Sequence, residues 1–305
     1  MKIEVEDVTS LRFEDGSPVR AASAVARFGD GLLVAQDDAT HGAWLRNGAV
    51  RAVRILPAVE GLETFDEATG TKHLKPDLEA ACELVVECEP AVLLLGSGST
   101  PARMRSSLMR LDDGEPRPVV ADLSLLYASV ARTLDVDPEE LNMEGACVVG
   151  AALRWFQRGL PSAGIPTASV DLDLSALLAA VGFGADVSSV AVTHPVHYDL
   201  GDVDGVGLAV TDAVFLDGQE LLVSAAAEDA PNARDDGPVV GAALALLDGE
   251  QVRDMSELPD VDGKAPKVEG LTVLERDDAS VRVLATVDAD DPEACSLAVR
   301  LRVRW

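Results

Sequence analysis

Five short segments of similar character recur along the chain, and each begins with a residue that could bind a cation. The first residues are Ser23, Glu79, Glu144, Asp212 and Glu269, and small or apolar residues follow each of them. The intervals are 56, 65, 68 and 57 residues, and 59 residues separate the last segment from the first when the chain ends are joined. Four carboxylates that meet at one point repel one another and need a counter-ion. Oxygen ligands suit a hard cation, so the pattern predicts a calcium ion held by these five residues, directly or through water.

A structural explanation of the same acidic residues stays open. Each of them could end a strand and pair with an arginine of the neighbouring repeat. In the fourth repeat, Thr211 could replace Asp212 if that repeat is out of step by one residue.

Each segment opens a pair of strand-like runs joined by a turn that contains Gly or Asp, as at Gly29-Asp30-Gly31. Repeats of about 61 residues that hold several short strands and close on themselves are typical of a β-propeller. We predict an all-β chain that forms a single five-bladed β-propeller over residues 1–305, with the N-terminal strand in the C-terminal blade. A six-bladed ring is the alternative if a degenerate blade lies between Pro166 and Asp204. Segments 122–134 and 174–181 have helical spacing, and we expect them to lengthen loops on one face.

Propeller geometry brings a second set of residues to the same end of the channel. The first strand of a blade lines the channel and the second returns antiparallel to it, so the start of one lies beside the end of the other. Asp38 and Glu228 stand at such ends and are candidate catalytic bases. His41 follows Asp38 closely and is either a further acid–base group or a solvated histidine. The candidates for binding an anionic substrate are Lys75, Ser99, Arg103, Arg158 and Arg234, although the arginines could instead tie blades together.

Composition limits the partners that we expect. The formal net charge of −28 predicts that the protein binds neither nucleic acid nor an anionic membrane, and no apolar run approaches the length of a membrane span. The first residues lack the pattern of a signal peptide, so we expect a cytoplasmic protein.

The four cysteines lack metal-ligand spacing and are expected to be buried thiols. His194 and His197 flank a proline without a third ligand, which argues against zinc.

Several of these motifs together resemble known families. Over its whole length the chain resembles an uncharacterised family of bacterial propellers, through Lys75-Pro76-Asp77-Leu78-Glu79, Gly96-Ser97-Gly98-Ser99, Asn142-Met143-Glu144-Gly145, Gln157-Arg158-Gly159 and Ala227-Glu228 with Asp235-Asp236-Gly237. More distantly it resembles the calcium-activated nucleotidases, or apyrases, through Asp37-Asp38-Ala39-Thr40-His41-Gly42. The apyrase resemblance implies five blades with calcium on the axis. Phytase-like and esterase-like propellers are an equally close functional analogy, because a fold does not settle chemistry.

These observations lead to two hypotheses from different classes. The first is a calcium-dependent hydrolase of a small anionic molecule that contains a phosphate or an ester. In that enzyme the metal polarises the substrate, and Asp38 or Glu228 acts as the base. The alternative is a non-catalytic propeller with structural calcium that binds a small ligand or a protein.

Overall fold

A computed structural model describes residues 1–232, 237–288 and 294–305. The strands form five sheets, and each sheet is one blade of a five-bladed β-propeller. The blades, in chain order of their inner strands, are as follows. The first contains β2 (Ala22–Phe28), β3 (Gly31–Gln36), β4 (His41–Arg46) and β5 (Ala49–Arg54), and the second contains β6 (Leu78–Val86), β7 (Glu89–Gly96), β8 (Arg105–Asp112) and β9 (Glu115–Asp122). The third contains β10 (Met143–Val149), β11 (Ala152–Gln157), β12 (Thr167–Asp173) and β13 (Val192–Tyr198), and the fourth contains β14 (Asp202–Val203), β15 (Val206–Asp217), β16 (Glu220–Glu228), β17 (Val239–Asp248) and β18 (Gln251–Glu257). The fifth contains β19 (Val268–Arg276), β20 (Ser280–Val287), β21 (Leu297–Arg304) and the N-terminal β1 (Lys2–Ser10).

The ring closes through side-by-side packing of the inner strands. The inner strands β2, β6, β10, β15 and β19 each contact the next, and β19 contacts β2. The strand β1 pairs antiparallel with β21, so the two ends of the chain share the fifth blade. The five-bladed prediction is confirmed. The stretch from Pro166 to Asp204 holds the outer strands of the third blade and no sixth blade.

The hydrophobic core is divided into five clusters of buried side chains, one between each pair of neighbouring blades. This division follows from the period-two alternation of strands, because each blade presents apolar side chains on both of its faces. Trp44, for example, packs from the first blade in the cluster that includes Leu94 of the second. The inner strands are thereby held at a fixed distance from the axis.

Two helices interrupt the strand pattern, at α1 (Ser124–Leu134) and α2 (Leu174–Phe183). Their positions confirm the two predicted helical segments. Both contribute buried residues to the core between the second and third blades, Tyr127 from α1 and Leu177 from α2. The end of β9, which precedes α1, lies beside Arg105, and the end of β12, which precedes α2, lies beside Ala152. These two positions are at opposite ends of the blades, so the expectation that both helices lie on one face is wrong. Neither helix described is long and apolar enough to cross a membrane.

Short 3₁₀ turns occur in the connections at Lys72–Leu74, Pro101–Arg103, Pro161–Ala163 and Val187–Ser189. Cys82 and Cys147 are buried, as expected of structural thiols. Cys88 is exposed and Cys295 is half-buried, so the expectation does not hold for these two.

Candidate functional site

A break in strand pairing marks the start of each inner strand. The pairing with the second strand shifts by one residue at Ser23, Glu79 and Glu269, and over Glu144 and Gly145 in the third blade. Such a β-bulge leaves one residue outside the ladder and turns its side chain. The bulges lie at one end of the central channel, which we call the axial mouth. The ends of the second strands lie there too, as the pairing of Leu78 with Gly96 shows.

The fourth blade departs from the sequence-based set of ring residues. Its shift in pairing lies between Val210 and Asp212, so Thr211 occupies the bulge position. In the other blades this position is occupied by Ser or Glu. Asp212 is buried, and its carboxylate accepts hydrogen bonds from the backbone N–H of Ala213 at 2.7 Å and of Leu271 at 2.5 Å. It therefore ties β15 to β19 below the mouth. The alternative that placed Thr211 in the ring is the one that the structure adopts.

The most strongly paired carboxylate of the axial mouth is Asp77, which the sequence reasoning did not select. Lys75 Nζ lies 2.6 Å from Asp77 Oδ1 and 2.5 Å from Asp37 Oδ2. Arg103 donates to Asp77 Oδ2 at 2.8 Å, and the Ser97 hydroxyl donates to the same oxygen. Burial alone would raise the pKa of Asp77, but the charges of Lys75 and Arg103 hold it below its usual value. Asp77 is therefore ionised and its two oxygens are occupied.

The loop that carries Ser97 and Ser99 is held in place by α1. Tyr127 donates its hydroxyl to the carbonyl of Gly96, and its ring covers Gly98. Gly98 has a φ of +73°, and a Cβ there would lie 2.2 Å from the Tyr127 ring. Ser99, a predicted substrate ligand, consequently points inward and accepts from Arg103 at 2.8 Å.

Glu79 lies beside this network but outside it. Carboxylate oxygens of Asp37, Asp77 and Glu79 all lie within 4.8 Å of one another. Among the residues that the structure describes, the Glu79 carboxylate has no hydrogen-bond or ion-pair partner, and the side chain is partly exposed to the channel. Burial, together with the charges of Asp77, Asp37 and Glu144, raises the pKa of Glu79 well above its usual value. The shift favours the protonated form of this carboxyl group, and its partial exposure leaves it within reach of a small molecule.

A second charged network occupies the other side of the axial mouth. Glu144 accepts from Asn142 Nδ2 at 2.9 Å and lies 3.6 Å from Arg158 Nη1. Arg158 also donates to Glu228 Oε2 at 3.0 Å. Burial raises the pKa of Glu144 to about 8, although Arg158 opposes the shift.

Glu269 has a cation that the sequence reasoning missed. Lys267 Nζ lies 3.2 Å from Glu269 Oε1 and 3.8 Å from Glu228 Oε2. The other oxygen of Glu228 accepts from the backbone N–H of Gly237 at 2.6 Å. Burial raises the pKa of Glu269 to about 7, and Lys267 opposes that shift. Glu228 therefore joins the third, fourth and fifth blades and has both oxygens engaged.

Asp38 lies at the edge of the axial mouth and is the more accessible of the two predicted bases. Its side chain is 22% exposed, and Arg20 Nη2 lies 3.9 Å from Asp38 Oδ2. Burial and the neighbouring charge of Asp37 raise the pKa of Asp38 to about 6. Asp38 directly follows Asp37, whose carboxylate lies within 4.8 Å of that of Glu79, so Asp38 lies next to this cluster.

The predicted site residues thus fall into three groups. Those brought together at the axial mouth are Ser23, Asp38, Lys75, Glu79, Ser99, Arg103, Glu144, Arg158, Glu228 and Glu269. Asp212 lies below the mouth, and Arg234 lies outside the described residues. The residues that were missed are Asp77, Asn142 and Lys267, each of which stands two positions before a ring glutamate. That repeated polar position is a signal by which sequence reasoning could have found them.

The donor set fits the predicted five-ligand calcium ion poorly. Ser23 donates its hydroxyl to the carbonyl of Leu78 at 2.5 Å, and Asp212 is bound to backbone N–H groups. Glu144 and Glu269 pair with cationic side chains. Within the described residues, only Glu79 of the five has a carboxylate without a hydrogen-bond or ion-pair partner, and the ammonium of Lys75, which pairs with Asp77, already supplies a positive charge nearby. Calcium at this mouth stays a prediction.

The comparisons with known proteins support the fold and a family. No curated protein matches the chain. Among solved structures, a glutaminyl cyclase of Myxococcus xanthus is similar at 9% identity with a TM-score of 0.50, over 99% of this chain and 97% of that one. The catalytic domain of a GH62 α-L-arabinofuranosidase of Coprinopsis cinerea is similar at 8% identity with a TM-score of 0.48, over 94% and 90% of the two chains. A protein of unknown function from Dyadobacter fermentans is similar at 11% identity with a TM-score of 0.46, over 99% of each chain.

At 9% identity, the similarity to the glutaminyl cyclase shows the fold alone. A family profile matches residues 71–292, which include most of the axial mouth. The chain belongs to the family of unknown function DUF6910.

Proposed function

We propose that this protein is an enzyme that hydrolyses a small polar molecule by acid–base catalysis at the axial mouth. The observation that carries the proposal is the Glu79 carboxyl group, which has no polar partner in the described part of the chain although charged groups surround it. Placing an acidic group in such a position without a partner costs free energy of folding. A residue held in this way is expected to act on a ligand.

The two accessible carboxyl groups have complementary roles in this proposal. Asp38 takes a proton from a water molecule, whose oxygen attacks the electrophilic carbon of the substrate. Glu79 gives its proton to the leaving group as the bond breaks. Their different surroundings support this division, because the pKa of Asp38 is raised only to about 6 while that of Glu79 lies well above its usual value.

The charges of the site favour an uncharged substrate over the anionic one that the sequence predicted. Lys75, Arg103 and Arg158 each pair with carboxylates at 3.0 Å or less. An anionic group would have to compete with these carboxylates for each cation. A neutral polar group only has to replace water, so we place amides and glycosides ahead of phosphates.

Calcium is a second candidate, which the short separation of oxygens in Asp37, Asp77 and Glu79 favours. These three residues would hold the ion in place of the Lys75 ammonium. A bound calcium would polarise a substrate oxygen. Without turnover, such an ion would instead support the non-catalytic alternative, a propeller with structural calcium.

The experiment is a turnover assay on a panel of neutral and anionic substrates, with and without chelator. The panel contains aryl glycosides, carboxylic esters, a peptide with N-terminal glutamine, nucleoside triphosphates and phosphomonoesters. We expect turnover of a neutral member, and we expect Glu79→Gln to lower kcat by about 100-fold or more because the proton donor is lost.

Glu83→Gln is the matched control, because Glu83 is exposed on the same strand at the far end of the channel. It should leave kcat unchanged. Absence of turnover on the whole panel would favour the binding-module alternative. Full activity of Glu79→Gln would remove Glu79 from the mechanism.

A further inference from the structure

A cavity of about 580 Å³ opens beside Asp38, on the side away from the axis. It lies between the segment that follows β1 and the first blade, and Phe13, Gln36 and His41 contribute to its walls. Its volume falls within the range of roughly 300–1,000 Å³ that is usual for small-molecule sites. Asp38 lines this cavity, and its neighbour Asp37 pairs with Lys75 at the axial mouth, so the two spaces lie next to each other.

One wall of the cavity presents aromatic rings. The rings of Phe13 and His41 have centroids 5.7 Å apart at an interplanar angle of 48°. The ring nitrogens of His41 have no hydrogen-bond partner among residues 1–232, 237–288 and 294–305. Burial lowers the pKa of His41, so at neutral pH the imidazole offers one N–H donor and one acceptor nitrogen.

The floor of the cavity is rigid. Gln36 is buried and donates from Nε2 to the carbonyl of His41 at 3.1 Å, and its Oε1 accepts from the backbone N–H of Arg20 at 3.0 Å. The covering segment is attached to the first blade by the bond from Glu14 N–H to the carbonyl of Val50 at 3.0 Å. The cavity is therefore formed before a ligand arrives, which limits the entropy cost of binding.

The charged side chains that line the cavity do not favour a charged ligand. The cationic side chains are Arg20 and Arg51, and the acidic ones are Glu14, Asp15 and Asp38. Both signs are present and the acidic groups outnumber the cationic ones, so a neutral molecule with several hydrogen-bonding groups matches this lining better than an anion. An apolar ring face is also required to cover Phe13.

We propose that this cavity is a subsite for a neutral, polyhydroxylated ring such as a furanose or pyranose. The ring lies with one apolar face against Phe13, and its hydroxyl groups bond to the free imidazole nitrogens of His41. The inference deepens the proposed function, since the ring would be the unreacting part of a glycoside whose bond reaches Asp38. Binding in the cavity can nevertheless be measured without any turnover.

The test is NMR of the histidine ring protons during titration with methyl α-L-arabinofuranoside and methyl α-D-glucopyranoside. Four histidines give few signals, and the signal of His41 is identified by its loss in His41→Gln. We expect a saturable shift of this signal with at least one glycoside. Glucose 6-phosphate and cyclohexanol serve as anionic and apolar comparisons and should give weaker shifts.

Matched variants separate binding from disturbance of the fold. Ala52 is exposed on β5 and lines the cavity, so Ala52→Phe should fill it and abolish the shift. Ala49→Phe places the same side chain on the same strand outside the cavity and should leave the shift intact. An equal shift in both variants, or no saturable shift with either glycoside, would overturn the subsite. Turnover without a glycoside-induced shift would support the proposed function and exclude the subsite. A shift without turnover would support the subsite and exclude the proposed function.

Discussion

Carboxyl groups of the same chemistry behave differently at the axial mouth because their neighbours differ. Asp77 is held ionised by Lys75 and Arg103, whereas the neighbouring Glu79 forms no ion pair with any residue that the structure describes. Adjacent acids whose pKa values are pushed apart are typical of sites that move protons. The catalytic proposal therefore depends first on the different surroundings of these two residues.

Lys75 decides whether this cluster can hold a metal ion. In Lys75→Met the carboxylates of Asp37, Asp77 and Glu79 lose their shared ammonium, so calcium affinity should rise. Calcium at about 100 times its Kd would then stabilise the variant by about 2.7 kcal/mol. Isothermal titration calorimetry and the shift in Tm with added calcium measure this effect.

Lys72→Met is the control, since Lys72 is exposed and pairs with the exposed Glu67, away from the cluster. Tight binding by the wild-type protein would instead support the calcium ion predicted from the sequence. No calcium effect in any of the three proteins would exclude this cluster as a cation site.

At the scale of strands, the bulge at the start of each inner strand positions the site. A bulge turns one side chain out of the ladder, and in the third blade it spans Glu144 and Gly145. A Cβ at Gly145 would lie 2.4 Å from Asp212 Cα and 2.5 Å from Ala213 N, which are parts of the neighbouring inner strand. Glycine is therefore required for the approach of β10 to β15.

Gly145→Ala should lower the free energy of unfolding by about 1–3 kcal/mol, because the added methyl group forces the two backbones apart. Urea denaturation measures the change. Gly182→Ala in α2 is the matched control, since its nearest contact would be Leu108 Cδ2 at an ordinary 3.4 Å. That helix position should be neutral or gain up to about 1 kcal/mol. Equal stability of Gly145→Ala and wild type would show that the inner strands can move apart freely.

The bulge also shows why one ring residue was misplaced. The strands β2, β6 and β19 begin one residue before their bulge, so the first polar residue of the repeat marks the ring. The strand β15 begins earlier, at Val206, and two polar residues, Thr211 and Asp212, then compete for the position. The hydrogen bond from Leu271 N–H to Asp212 settles the register, and it links residues that are far apart in sequence.

At the scale of the whole molecule, closure of the ring concentrates acidic groups that the unfolded chain keeps apart. Burial raises the pKa of Glu144 to about 8 and that of Glu269 to about 7, from an ordinary value of 4.5. The folded protein therefore holds more protons than the unfolded chain between these values. Stability from these groups is complete at acidic pH and is lost as the pH rises through the folded pKa values.

The free energy of unfolding should accordingly fall between about pH 5.5 and about pH 8.5, by at most about 1.4 kcal/mol per pH unit for each group. Urea denaturation across this range measures the slope. Glu144→Gln removes one of the titrating groups and should make the slope shallower. A steeper slope in that variant, or stability that rises with pH, would contradict the proton balance.

The sequence by itself determined the five-fold repeat, the strand pairs, the two helices and the acidic residues that begin the inner strands. These features depend on local chemistry, namely turn residues, apolar alternation and repeat length, which a linear chain displays directly. Only the tertiary structure decided that Lys75 and Lys267 pair with the carboxylates of the mouth and that Thr211 takes the fourth ring position. It also decided that Glu79 lies without a hydrogen-bond or ion-pair partner among the described residues. Ion pairs between blades depend on distances of a few ångströms between residues that are dozens of positions apart, and closure of the ring sets those distances.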